Sequence, residues 1–179
     1  MSPAGNNRKI DLSSENRKLA HPLYWKFRLK LVVLLTTIFF LFLWLTNLLL
    51  FLKVGFSYGS VVEYYRGSEE SFRPPRSYLG LLEEAHFHFF SMAVLLVTLN
   101  HLFLFTNRSS AEKLLVIIAS YGSAFLDIAG GWLVRYVSAE FAYVKIGSFV
   151  VLQISLLYLI IFVTFYLYRK KPEYPKPKQ

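Results

Sequence analysis

EEAHFHFFSMAVLLVTLNHLFLF, residues 83–105, decides how this chain folds. Two glutamates and two histidines stand at its start, and from Ala85 to Phe105 there is no Asp, Glu, Lys or Arg. About 20 such residues, rising about 1.5 Å each, cross a hydrocarbon core of about 30 Å as a helix. Unpaired backbone groups are too costly in lipid for any other open form.

Three more segments are predominantly apolar over a similar length, roughly 29–52, 114–136 and 144–167. With 55% hydrophobic and 18% aromatic residues, the 179-residue chain carries more apolar surface than a soluble domain needs. The expected fold is an all-α integral membrane protein, a four-transmembrane-helix bundle over 29–167. It has a polar, basic arm at 1–28, an external loop at 53–84 and a Pro- and Lys-rich tail at 168–179. The first span follows a polar arm and is too long for the apolar core of a signal peptide. No internal repeat relates the four.

The net charge of +9 would suggest nucleic acid in a soluble protein. Here Lys and Arg cluster beside the apolar runs, where they set topology. Counting Lys30 at the start of the first span with the arm, fourteen fall on the arm, the link between the second and third spans and the tail, against six on the opposite side. Both termini are therefore expected in the cytoplasm, as in a bacterial inner membrane, and no nucleic-acid partner is implied. The sequon Asn107-Arg108-Ser109 then falls on the cytoplasmic side and reads as a chance match. The absence of cysteine excludes disulfides and thiolate chemistry. No Walker loop, dinucleotide fingerprint or nucleophile elbow occurs. A redox subunit is the enzymatic role left open. In the external loop, Tyr58, Tyr64, Tyr65 and Tyr78 suit an interfacial lid, and Pro74-Pro75 enforces an extended turn.

On a helix, 100° per residue puts Glu83, His86 and His101 on one face and Glu84 with His88 on another. Glu83–His86 and Glu84–His88 are one turn apart. Such carboxylate–imidazole pairs can hold a divalent metal, as in bundle-core Glu-x-x-His sites, which makes Glu83, Glu84, His86 and His88 candidate metal ligands. The bland reading is equally physical: glutamates suit a helix start, and histidines suit the interface.

His86 and His101 are 15 residues apart, about 22 Å along the axis. That spacing resembles membrane b-type cytochromes, in which one helix offers a histidine near each face of the bilayer. The resemblance covers these two residues and implies haem b with His86, His88 and His101 as cofactor ligands. The other three spans hold no histidine. An opposing ligand would come from His21, a second protomer or another subunit.

Asp127 lies inside the third span, where ionisable groups are costly and mark functional sites. Ala119, Ser123, Asp127 and Gly130 form a narrow stripe that allows close helix approach. Asn47, Asp127 and Gln153 are expected to share one polar layer. With no Lys or Arg expected at that depth, a protonated Asp127 bonded to Gln153 or Asn47 is the expectation.

Two readings from different classes follow. In the first, the histidine/glutamate site at the external end of the second span binds haem or a metal and serves membrane electron transfer with a quinol or another membrane subunit. In the second, the chain is a non-catalytic subunit or scaffold within a homo-oligomer or larger complex. A third reading is a proton-coupled transporter using Asp127.

Overall fold

The computed structural model describes residues 12–169, with side chains from Arg28 onward. Expectations for residues 1–11, for the tail from 170 and for His21 as a ligand lie outside the described residues. Five helices follow in order: α1 (Leu12–Val54), α2 (Tyr58–Arg66), α3 (Tyr78–Leu104), α4 (Ser110–Tyr136) and α5 (Phe141–Tyr168). No strand occurs among the described residues. Arg28–Val54 of α1 and the whole of α3, α4 and α5 are long and apolar enough to cross a membrane. The chain is an all-α, multi-pass integral membrane protein, with four such helices among the described residues.

Residues up to Thr36 and those from Thr37 onward form two compact units. In the first, α1 exposes Leu29, Leu31, Val32 and Leu35. The remainder of the molecule, including α1 from Thr37, is the second unit and holds everything described below.

The centre of this unit is the antiparallel pair α4 and α5, joined by the short link 137–140. Small residues let the two backbones close in: a side-chain carbon on Gly130 would stand 3.2 Å from Lys145 Cα. α3 packs against both along Leu81, Ala85, Met92, Leu95, Leu99 and Phe103, a stripe recurring every three to four residues. From α1, Phe51 stacks on Phe149 with ring centres 3.7 Å apart. One further tie is Trp44 Nε1, which donates to the Gln153 carbonyl at 3.0 Å.

The stretch expected as a loop at 53–84 is largely helical. Ser57 caps α2 in a reciprocal capping box with Ser60. Gly67, at φ 82°, ends α2 where a side chain would strike Arg73 O and Pro75 N. Ser77 then starts α3, its hydroxyl accepting from Gly80 N at 3.1 Å. Glu83 and Glu84 therefore sit in the second turn of α3, so the helix-start argument for two glutamates does not apply to them.

Candidate functional site

Lys145 is the residue that organises the site. It stands one turn into α5, and its side chain runs inward rather than out to the interface. Gly130 makes this possible, because the lysine stem occupies the space a side chain there would need. Its Nζ donates to both Oδ1 and the backbone carbonyl of Asp127, each at 2.8 Å. Both side chains are buried. The expectation that Asp127 has no cation at its depth is thus corrected. Its partner is Lys145, not Gln153 or Asn47. The reason is that α5 begins at Phe141, three residues before the expected start, which carries Lys145 into the bundle. A lysine flanked by Ala142, Tyr143, Val144 and Ile146 was the available signal.

The expected single layer of Asn47, Asp127 and Gln153 is also divided. Gln153 lies eight residues beyond Lys145 on α5, about 12 Å deeper. The small-residue stripe holds at Ser123, Asp127 and Gly130, but Ser120 rather than Ala119 is its fully buried continuation.

Around the ion pair lies a cavity of about 10 Å³, lined among others by Tyr65, Glu84, His88, Asp127, Gly131 and Lys145. That volume admits one water-sized species. Tyr65 of α2 covers it, its ring occupying the notch at Gly131, where an added carbon would stand 2.8 Å from Cε1. Burial pushes the Tyr65 hydroxyl well above the ordinary tyrosine range, with the charges of Glu84 and Asp127 acting in the same direction. Glu84 Oε2 accepts from Arg76 at 3.2 Å. The Arg76 guanidinium also lies over the Tyr64 ring, 5.0 Å from its centre. Arg135 Nε donates to the Arg76 carbonyl, and Arg66 Nε donates to Val134 O near the C-terminus of α4. These ties hold α2 and its following loop across the end of the α3–α4–α5 core.

His88 Nδ1 is 2.9 Å from the Glu84 carbonyl. A carbonyl can only accept, so Nδ1 carries the hydrogen and Nε2 is the nitrogen left for proton exchange. Glu84 and His88 therefore reach the cavity, whereas Glu83 and His86 are exposed on another side of α3. His101 is exposed as well. Neither His86 nor His101 faces the core: the inward face of α3 is the apolar stripe of Leu95, Leu99 and Phe103. The proposed metal set of Glu83, Glu84, His86 and His88 is divided between two faces of one helix. No group of three or more such ligands converges among the described residues.

One mutational contrast follows from this arrangement. His101→Ala is expected to change stability by less than about 0.5 kcal/mol, as for other exposed positions. Leu99→Ala, at a fully packed site, is expected to cost about 2–5 kcal/mol through the cavity it leaves. Unfolding of both variants in mild detergent checks this, and equal losses would show that His101 has a buried partner.

Residues 55–174 match the family described as Aq_1264_TM, a transmembrane helical domain. The match takes in α2 to α5 and more than half of the chain. No curated protein matches the chain, and no solved structure does. By the extent of that match, this chain belongs to the Aq_1264_TM transmembrane helical domain family.

Proposed function

We propose that this is a proton-handling membrane protein in which Asp127 is the exchanging carboxylate and Lys145 its counter-ion. The observation that carries the reading is the buried Lys145–Asp127 pair on the wall of a cavity that Glu84 and His88 also line. A buried ion pair is a poor stabiliser compared with apolar packing of the same volume, and ionisable groups at membrane depth usually mark proton or ion paths. A proton accepted at His88 Nε2 or Glu84 would pass through the cavity to an Asp127 carboxylate oxygen. Asp127 then becomes a neutral acid, and the Lys145 ammonium loses its counter-ion. Because that ammonium holds α5 against α4, protonation is coupled to the fit between the two helices. This coupling is the element a proton-driven transporter or membrane subunit would use.

Infrared difference spectra of the lipid-embedded protein, recorded between acid and neutral buffer, test this. A protonated-carboxyl band that disappears in Asp127→Asn is expected. Identical spectra for both proteins would overturn the reading.

The charge asymmetry supports cytoplasmic termini, as in a bacterial inner membrane. It grows once Lys145 is counted inside the bundle rather than on the external side. A reporter fused after Gln179 is expected to show cytoplasmic activity, and an external signal would invert the assignment.

A second reading draws on the outward exposure of His86 and His101 on α3. Haem or metal binding there, with electron transfer to a quinol, would use ligands from a neighbouring copy or another subunit. A Soret band from the purified protein would favour it.

A further inference from the structure

Two amide side chains take no part in the Asp127 site. Gln153 of α5 is buried, and neither its Oε1 nor its Nε2 meets a hydrogen-bond partner. On α1, Asn47 Nδ2 is sealed from solvent and equally unpartnered. In lipid, with no water to meet them, such atoms are expensive. Thr46, the chain neighbour of Asn47, shows the usual remedy: its hydroxyl donates to the Phe42 carbonyl of its own helix at 2.9 Å.

Two contacts fix where these amides stand. Phe51 of α1 stacks on Phe149 of α5. Trp44 Nε1, seven residues earlier on α1, donates to the carbonyl of Gln153, four residues later on α5. The two helices therefore run antiparallel here. Asn47 lies four residues before Phe51, and Gln153 lies four residues after Phe149. Each is thus about 6 Å from the stacked rings, in the same direction. At 100° per residue, Trp44, Asn47 and Phe51 fall within about 60° of one another on α1, and Phe149 and Gln153 within about 40° on α5. The amides share one level of one seam, beside an aromatic stack and an indole–carbonyl bond.

This seam has little else to specify it. From Thr37 to Val54, Phe51 is the one fully buried residue of α1. Apolar contact does not select a register in lipid, because the tails are as apolar as the side chains. A polar pair placed in a helix seam does select one, since any slip leaves both groups unpaired.

We infer that Asn47 and Gln153 form an interhelical latch that fixes the register of α1 against α5. Asn47 Nδ2 donates to Gln153 Oε1, and Gln153 Nε2 donates to Asn47 Oδ1. The terminal torsions of both side chains are soft, so the amides turn toward each other at little cost. Neither group titrates. The latch therefore holds α1 in place whatever the charge on Asp127, and the inference stands apart from the proton-handling reading above.

The test uses the full chain in mild detergent, with isotope-labelled Asn and Gln. A nuclear Overhauser contact between the side-chain amide hydrogens of Asn47 and Gln153 is expected, identified by its loss in Asn47→Leu and in Gln153→Leu. Contacts of both amides with water, and none with each other, would overturn the latch. So would a contact seen only between differently labelled copies, which would place the pair between molecules. Thermal unfolding gives the energetic half of the test. Each single leucine variant strands the other amide and should lower the midpoint by about 2–4 °C. The double leucine variant should recover most of that loss, because two apolar groups then meet where two amides paired. Amides that never pair would make each leucine variant more stable than the native chain, and such a rise would overturn the inference. Losses that simply add in the double variant would show two independent amides, with the same consequence. The exchanged pair Asn47→Gln with Gln153→Asn keeps both amides, and carries the test should a leucine variant not fold. It should retain the amide contact and the native midpoint; losing both would overturn the latch.

Discussion

Lys145→Met is expected to destabilise the protein by about 3–5 kcal/mol, the effect of removing one partner from a buried ion pair. The substitution keeps most of the side chain's volume along Gly130 but leaves the Asp127 carboxylate without the Nζ that contacts it at 2.8 Å. It also removes the bond to the Asp127 carbonyl. Pairing Lys145→Met with Asp127→Leu tests whether loss of compensation, rather than loss of the pair, causes the damage. The double variant is expected to be close to native stability or above it, because well-packed apolar groups commonly replace a buried pair without cost. Denaturant or thermal unfolding in mild detergent checks both. A double variant less stable than Lys145→Met would mean that the pair itself contributes substantial net stability, and would weaken the argument that it is retained for function.

Gly131→Ala is expected to loosen α2 from the bundle while leaving the long helices in place. Two effects oppose one another. Alanine in a helix interior is favoured over glycine by about 1 kcal/mol. Against that, the added carbon would stand 2.8 Å from the Tyr65 ring, and overpacking of this kind costs about 1–3 kcal/mol. The ring is pinned by burial on all sides, so the overpacking should win. Gly122→Ala is the control: a carbon there meets nothing within 4 Å, so only the helix preference remains and stability should rise by up to about 1 kcal/mol. Hydrogen exchange of residues 58–66 should accelerate in Gly131→Ala and stay native in Gly122→Ala. Alkaline pH should release the same contact. Burial raises the Tyr65 pKa above its ordinary value of 10.0, so the tyrosine's contribution to docking is complete below that value. It falls as pH rises through the higher folded-state pKa. Tyr65→Phe should keep α2 docked over that range. If α2 came off at the same pH with phenylalanine in place, Tyr65 ionisation would not be the cause.

Four spans were legible in the sequence because hydropathy acts one helix at a time: about 20 predominantly apolar residues must be helical in lipid whatever lies beside them. The importance of Asp127 was legible for the same reason, since its cost depends on depth alone. The rotation of α3 was not legible. Phe87, Phe89 and Phe90 face outward and are as apolar as the residues facing in, so in a membrane helix hydrophobicity does not mark the packed side. For that reason the sequence offered Glu83–His86 and Glu84–His88 as equals, and only packing turned the second pair to the cavity. Lys145 was hidden by a boundary problem: three residues' difference in where α5 begins moves it from the external mouth of the span to its second turn, within reach of Asp127. Its partner was decided by Gly130, a notch that has meaning only once α4 and α5 lie together. α2 lacks the length of a span, and its place was set by Tyr65 entering the notch at Gly131. Sequence alone thus determined which segments enter the membrane and which residue is costly there. The tertiary structure decided which faces meet and which charge answers Asp127, because those choices depend on contacts of about 3 Å between residues distant in the chain.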